Sequence, residues 1–160
     1  MRYAGMIKND FAAAPGTCTT FFTQGCNFHC KGCHNPQTWD FNGGKELTKN
    51  VLEELREALI SNGIHRDLCI MGGEPLCDEN LCVTKLVIDY VKSCFKDIKI
   101  YIWTGYTLEE LKQRNSEFLT HILDNVDVLI DGRFEKNNRD VTLFMRGSTN
   151  QRILYKGKDF

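Results

Sequence analysis

A chain of 160 residues can bury one hydrophobic core but not two, so a single domain spanning 1–160 is expected. Hydrophobic residues at 42% and charged residues at 26% give the balance of a soluble globular protein, and a net charge of −1 leaves no electrostatic footprint for nucleic acid or an anionic membrane. No apolar run approaches the roughly 20 residues of a membrane helix, and the start, MRYAGMIKNDF, lacks the apolar core of a signal peptide, so a cytoplasmic location is expected.

Strand-like and helix-like stretches alternate along the chain, with no repeat, low-complexity tract or linker between them. Thr17 to Thr23 is rich in β-formers and reads as a strand ending at Gln24-Gly25. Val51, Leu52, Leu55, Ala58 and Leu59 recur at helical spacing, with Thr48 as N-cap and Asn62-Gly63 as stop. Leu68 to Met71 is a short apolar run closed by Gly72-Gly73, and Leu81, Leu86, Val87, Tyr90, Val91 and Cys94 mark a second helix. Ile98 to Trp103 alternates as a strand before Thr104-Gly105-Tyr106. Leu108 and Leu111, then Leu119, Ile122 and Leu123, predict further helix broken near Asn115. Val126 to Ile130 is a fourth strand closed by Asp131-Gly132, and Thr142 to Tyr155 reads as a strand or a loop.

Strand, loop and helix in repeated succession predict the α/β class with a parallel sheet. Right-handed crossovers would bring the loops at 24–33, 72–75, 104–106 and 131–133 to one sheet edge, where ligand sites of such folds sit. The chain is too short for a full eight-unit barrel of about 250 residues. A partial, open (βα) barrel or a doubly wound sheet remains.

Eight cysteines need a reason. A disulfide scaffold would require export, which nothing in the sequence supports. Cys26, Cys30 and Cys33 crowd together as C-x3-C-x2-C just past a predicted strand, while Cys18, Cys69, Cys77, Cys82 and Cys94 are scattered. Three thiolates in one loop can curl around one metal centre. A cubane cluster saturated by protein takes four cysteines, so three would leave one iron open to a ligand, as catalytic metal sites keep a position open. Zinc held by the same cysteines with His29 or His34 is an alternative, as is a saturated cluster with Cys18 or a distant cysteine as fourth ligand. A sheet of several units around the loop favours the catalytic cluster. Cys69 in a buried strand and Cys94 on a helix's apolar stripe read as small hydrophobes, and Cys18 reads similarly. Cys77-x4-Cys82 is too sparse for a second metal site, and no Ser-His-Asp set, Walker loop or dinucleotide fingerprint competes for the chemistry.

The cysteine loop after the first predicted strand resembles the signature of the radical S-adenosylmethionine superfamily, and Met71-Gly72-Gly73-Glu74-Pro75 resembles its second motif. More narrowly, Gly25-Cys26, Gly32-Cys33-His34-Asn35, Trp103-Thr104-Gly105-Tyr106, Asp131-Gly132-Arg133-Phe134 and Arg146-Gly147-Ser148-Thr149-Asn150-Gln151 are similar, in order and over nearly the whole length, to markers of the activating proteins of anaerobic ribonucleoside-triphosphate reductase. His34 stands where that family often has Tyr, and Gly32 where many superfamily members have an aromatic residue.

The resemblance implies a [4Fe-4S] cluster on Cys26, Cys30 and Cys33, with S-adenosyl-L-methionine at the open iron. It implies cofactor contacts from Gly32, Cys33, His34, Gly72, Gly73 and Glu74, and no catalytic side chain beyond the cluster and cofactor. Reductive cleavage would yield a 5′-deoxyadenosyl radical, which makes a glycyl radical on the large catalytic subunit of the reductase; an electron donor such as a flavodoxin would supply the electron. Another radical S-adenosylmethionine enzyme, of the formate-lyase activating type for example, and a non-catalytic zinc or electron-transfer module are the rival readings. Glu74 would balance the cofactor's ammonium or pin its turn, Phe28 and His29 would cover the cluster or pack the loop, and Thr104 to Tyr106 would touch adenosine or cap a strand. Asp131, Arg133, Arg146, Ser148 and Asn150 have no role legible in the sequence.

Overall fold

In the computed structural model, which describes residues 1–160, the first strand is one that hydrophobic patterning does not reveal: β1 (Arg2–Asp10), in which only Tyr3 is buried. It pairs antiparallel with β2 (Cys18–Thr23), Tyr3 stacking on Phe21 with ring centroids 5.4 Å apart. The chain continues through β3 (Lys45–Glu46), α1 (Lys49–Leu59), β4 (Asp67–Gly72), α2 (Leu81–Cys94), β5 (Ile100–Trp103), α3 (Leu108–Gln113), α4 (Glu117–Asn125), β6 (Val128–Asp131) and β7 (Arg152–Tyr155).

The seven strands lie in the order β3-β1-β2-β4-β5-β6-β7. Neighbours among β2, β4, β5 and β6 are parallel, while β3, β1 and β7 pair antiparallel. The expected parallel sheet is therefore the centre of a mixed one. Helical crossovers join the central strands, whereas β1 to β2 and β6 to β7 return without an α-helix, which only an antiparallel partner permits.

The central order runs one way without reversing, so crossovers of a single hand place the helices on one face, and the reversal that defines a doubly wound sheet is missing. Side chains alternate accordingly. Phe21, Leu68, Ile70, Ile100, Ile102 and Leu129 pack with α1, α2 and α4 in a core of 24 buried residues. Their neighbours Cys18, Cys69, Tyr101, Val128 and Ile130 face the other way into a smaller cluster with Ala14 and, at its edge, Met145.

The helices begin and end where local chemistry allows. Leu52, Leu55 and Leu59 bury one face of α1, which stops before Asn62 and Gly63, both left-handed at φ 57° and 69°. Arg66, 3% exposed, donates from Nη1 to the carbonyls of Ala58, Ser61 and Ile64 at 3.1, 2.8 and 2.9 Å, closing that helix end. A reciprocal capping box between Thr107 and Glu110 starts α3, and Asn115 at φ 46° separates α3 from α4. Cys69 is fully buried as expected, but Cys94 is exposed: it is the last residue of α2, beyond the reach of the core. No helix is long and apolar enough to cross a membrane.

Candidate functional site

The parallel strands end together. Thr23 pairs with Gly72 and Trp103 with Ile130, so the loops that follow emerge side by side on one edge. Between them lies a cavity of about 200 Å³. Its wall includes Cys26, Cys30, Cys33 and His34 from the first loop, Met71 to Glu74 from the second, Trp103 to Gly105 from the third and Gly132 and Phe134 from the fourth.

The cysteine loop is a closed excursion. Gly25 N–H donates to the Thr38 carbonyl at 2.7 Å and Cys26 N–H to the Trp39 carbonyl at 3.1 Å, tying its two ends together. Gly25, at φ +102°, sits where a Cβ would fall 2.0 Å from the Phe41 ring. Its carbonyl accepts from Glu74 N–H at 2.8 Å and from the Asn80 amide at 3.1 Å, so the loop is bolted to the turn after β4. Gly73 completes that contact, because a Cβ there would lie 2.3 Å from the Gly25 carbonyl oxygen. Absence of a side chain at Gly73 thus serves loop-to-loop approach.

All three loop thiols are free, half-buried and on the cavity wall. Backbone N–H groups of Phe28 and Asn35 donate to the Cys26 and Cys33 sulfurs at 3.4 and 3.3 Å. Burial pushes the thiols of Cys26 and Cys30 up, Cys33 adding to the effect on Cys30; metal binding requires the opposite, and a bound cation's charge provides it. The donor set is three soft sulfurs spread around one space, which fits an iron–sulfur cluster. No other cysteine lines the cavity. Cys18 opens β2 while the loop follows its far end, a separation of roughly 17 Å at about 3.3 Å per residue, so it is no fourth ligand. Cys77 is buried with its thiol donating to the Glu74 carbonyl at 3.1 Å, and Cys82 is exposed.

Glu74 pins the turn. It is 2% exposed, and its Oε1 accepts from Leu76 N–H at 2.9 Å and the Thr104 hydroxyl at 2.6 Å, while Oε2 accepts from Gly105 N–H at 2.7 Å. Burial pushes its pKa up to about 7 against these donors. Gly32 differs from the other expected contacts: it is exposed, off the cavity wall, and lies against Lys136 and Phe134 on the loop's outer side. Phe28 lines the cavity, edge-on to Tyr106 at 4.7 Å and beneath the Arg133 guanidinium at 4.3 Å. His29 stacks on Trp39 at 4.6 Å and so packs the loop.

The last marker segment, whose role the sequence did not disclose, builds the remaining wall at Gly147 and Gln151. Gln151 accepts from Gly147 and Ser148 N–H at 2.8 and 3.1 Å and donates to the Gly132 carbonyl at 2.9 Å. Asn150 donates to the Arg133 carbonyl, Ser148 accepts from Glu135 N–H, and Arg146 donates to the Gln151 carbonyl. Asp131, 1% exposed, accepts from Leu108 N–H and from Arg152, whose guanidinium also reaches Glu109. Trp39, Trp103 and Met71 also line the cavity; the sequence signal for the aromatic pair is that both tryptophans flank the marker loops.

The chain is an α/β domain with three thiols in one loop at the carboxyl edge of its parallel strands, and its residues 12–154 match a family described as the 4Fe-4S single cluster domain. Curated relatives span nearly the whole chain. A protein of Pasteurella multocida is 36% identical over 98% of both chains, one of Enterobacteria phage T4 is 37% identical over 96% of this chain and 93% of its own, and one of Escherichia coli is 32% identical over 94% and 96%. Each of these three is named anaerobic ribonucleoside-triphosphate reductase-activating protein, and the chain belongs to that family.

Proposed function

We propose that this chain is a radical S-adenosyl-L-methionine enzyme that generates the glycyl radical on the large subunit of anaerobic ribonucleoside-triphosphate reductase, in the cytoplasm. One observation carries the reading: three thiols of one loop, and no fourth cysteine, meet the Met71–Glu74 turn in a single cavity. Cys26, Cys30 and Cys33 would hold a [4Fe-4S] cluster with one corner left for S-adenosyl-L-methionine, and the chemistry these groups supply when bound is reductive cleavage to a 5′-deoxyadenosyl radical.

The chain's own part is to hold, orient and shield. The N–H groups of Phe28 and Asn35 on two of the sulfurs are the kind of contact that tunes a cluster's potential. The Gly73 carbonyl, in the wall, accepts no hydrogen bond within the chain and is left for the cofactor's ammonium. Glu74 has filled three of its roughly four lone-pair sites, so its part is to fix the turn. Gly72, Cys33 and His34 share that wall; Gly32 shapes the turn that presents Cys33. Phe28, Trp39 and Trp103 make the cavity's apolar, water-excluding surface. The singly wound sheet is read as a partial, open barrel whose helix-free side admits a peptide of the reductase, and a flavodoxin-type donor supplies the electron.

The test is anaerobic reconstitution. Iron and sulfide should bind in the proportion of one [4Fe-4S] cluster per chain, dithionite with S-adenosyl-L-methionine should yield 5′-deoxyadenosine, and adding the reductase should give a glycyl radical signal in electron paramagnetic resonance. Stoichiometric zinc, or a cluster that forms no 5′-deoxyadenosine, refutes the reading. A radical on pyruvate formate-lyase but none on the reductase would refute the partner.

A further inference from the structure

Immediately outside the cysteine loop lies a groove unlike the cavity. Its wall is Lys31, Phe134, Glu135, Lys136, Asn137 and Asn138. Lys31 stands exposed between Cys30 and Cys33, and Lys136 is exposed on the segment that follows β6. Neither ammonium takes part in any of the chain's ion pairs. Glu135, the one acid in the wall, accepts from the Asn138 amide. Beside the groove, Arg133 lies 3.8 Å from Glu110, and Arg139 precedes Asp140, whose carboxylate holds Thr142. On a chain of net charge −1, this leaves a local excess of positive charge.

Exposed lysines alone mean little; the placement of these two is what counts. A Cβ on Gly32 would lie 3.4 Å from Cδ of Lys136 and 3.5 Å from Cε1 of Phe134, so the stem of Lys136 and the Phe134 ring rest on the cysteine loop itself. Phe134 belongs to both walls, groove and cavity. Anything seated in the groove is therefore separated from the loop thiols by one aromatic ring and one tight turn.

We infer that this groove is the docking surface for an acidic one-electron carrier protein, with Lys31 and Lys136 as its charged contacts. The inference rests on the proposed function, which consumes an electron and so needs a point of entry. Each encounter oxidises the carrier by one electron and delivers that electron to the site; no bond forms or breaks in the groove. Unpaired ammonium groups attract an oppositely charged macromolecule and raise its encounter rate, most strongly at low salt. The apolar side of Phe134 lets the two surfaces close without trapping a charge.

The test titrates the anaerobically reconstituted protein with a purified flavodoxin as the acidic carrier, at low and high salt. The double variant Lys31→Glu, Lys136→Glu should weaken binding about tenfold or more at low salt and flatten its salt dependence. A control, Lys49→Glu with Lys112→Glu, makes the same net charge change on the helix side and should leave affinity within about twofold. Formation of 5′-deoxyadenosine should fall in the first variant when flavodoxin supplies electrons and stay unchanged with dithionite. Equal weakening by both pairs, no weakening by the first, or an equal loss with dithionite overturns the groove as the entry point. Absence of 5′-deoxyadenosine from the unaltered protein with dithionite would instead overturn the proposed function.

Discussion

Replacing Glu74 with glutamine should remove a pH dependence of stability that the metal-free protein carries between pH 5 and 8. Burial is the largest influence on this carboxyl and raises it from an ordinary 4.5 to about 7. Between those values the native state keeps a proton that the unfolded chain has released, so stability falls as pH rises. Glu74's contribution is fully present below about pH 4.5 and lost above about pH 7. A gap of about 2.5 units, at 1.36 kcal/mol per unit, corresponds to about 3 kcal/mol, most of it within pH 5 to 8. Glutamine cannot titrate, but it sets an amide donor or leaves no acceptor where Gly105 N–H now donates at 2.7 Å, a fixed cost of about 1–3 kcal/mol. The variant should therefore be less stable than the parent at pH 5 and approach or pass it at pH 8. Urea unfolding under reductant, followed by the fluorescence of Trp39 and Trp103, measures both proteins at each pH. A parent-minus-variant difference that stays constant within about 1 kcal/mol across this range would refute the claim that burial holds Glu74 protonated.

Three further outcomes follow from the geometry. Gly73→Ala drives a methyl into the Gly25 carbonyl 2.3 Å away, and should cost about 3 kcal/mol and reduce iron uptake, read by denaturant melts and iron analysis after reconstitution. Serine at Cys26, Cys30 or Cys33 should abolish 5′-deoxyadenosine formation more than about a hundredfold, whereas Cys18→Ala should keep full iron content; loss of the cluster in the Cys18 variant would show a fourth ligand. Arg152→Ala leaves the 1%-exposed Asp131 carboxylate without its cation and should cost about 2 kcal/mol, discounted because Arg152 is itself half exposed. Lysine at that position should recover less than half, since it cannot span Asp131 and Glu109 together. Equal melting of the alanine and lysine variants would count against the fork.

Where local sequence controls local structure, the reading and the fold agree. Leu52, Leu55 and Leu59 announce α1 because three turns of helix bring them to one face, and Asn115 breaks α3 from α4 because it takes a left-handed backbone. The cysteine spacing singled out the loop, and the glycines after β4, β5 and β6 marked the edge where the cavity opens. β1 is not legible in the sequence, since a strand with one buried residue has no alternation to detect. Gly32 adjoins Cys33 in sequence yet faces Lys136 and Phe134, because a turn sends adjacent residues to opposite sides of a loop.

Sequence alone determined the succession of the central strands and their helices, the crowding of three thiols in one loop and the edge on which they would sit, because periodicity, turn chemistry and strand direction are short-range properties. Tertiary structure alone decided that the sheet is mixed and singly wound, that Glu74 joins two loops rather than standing free, and that Gln151 clamps the last wall to Gly132. Those outcomes depend on which backbone donors and acceptors arrive beside a side chain from 19 to 31 positions away. Such pairings are set by packing of the whole core, and no window of neighbouring residues contains them.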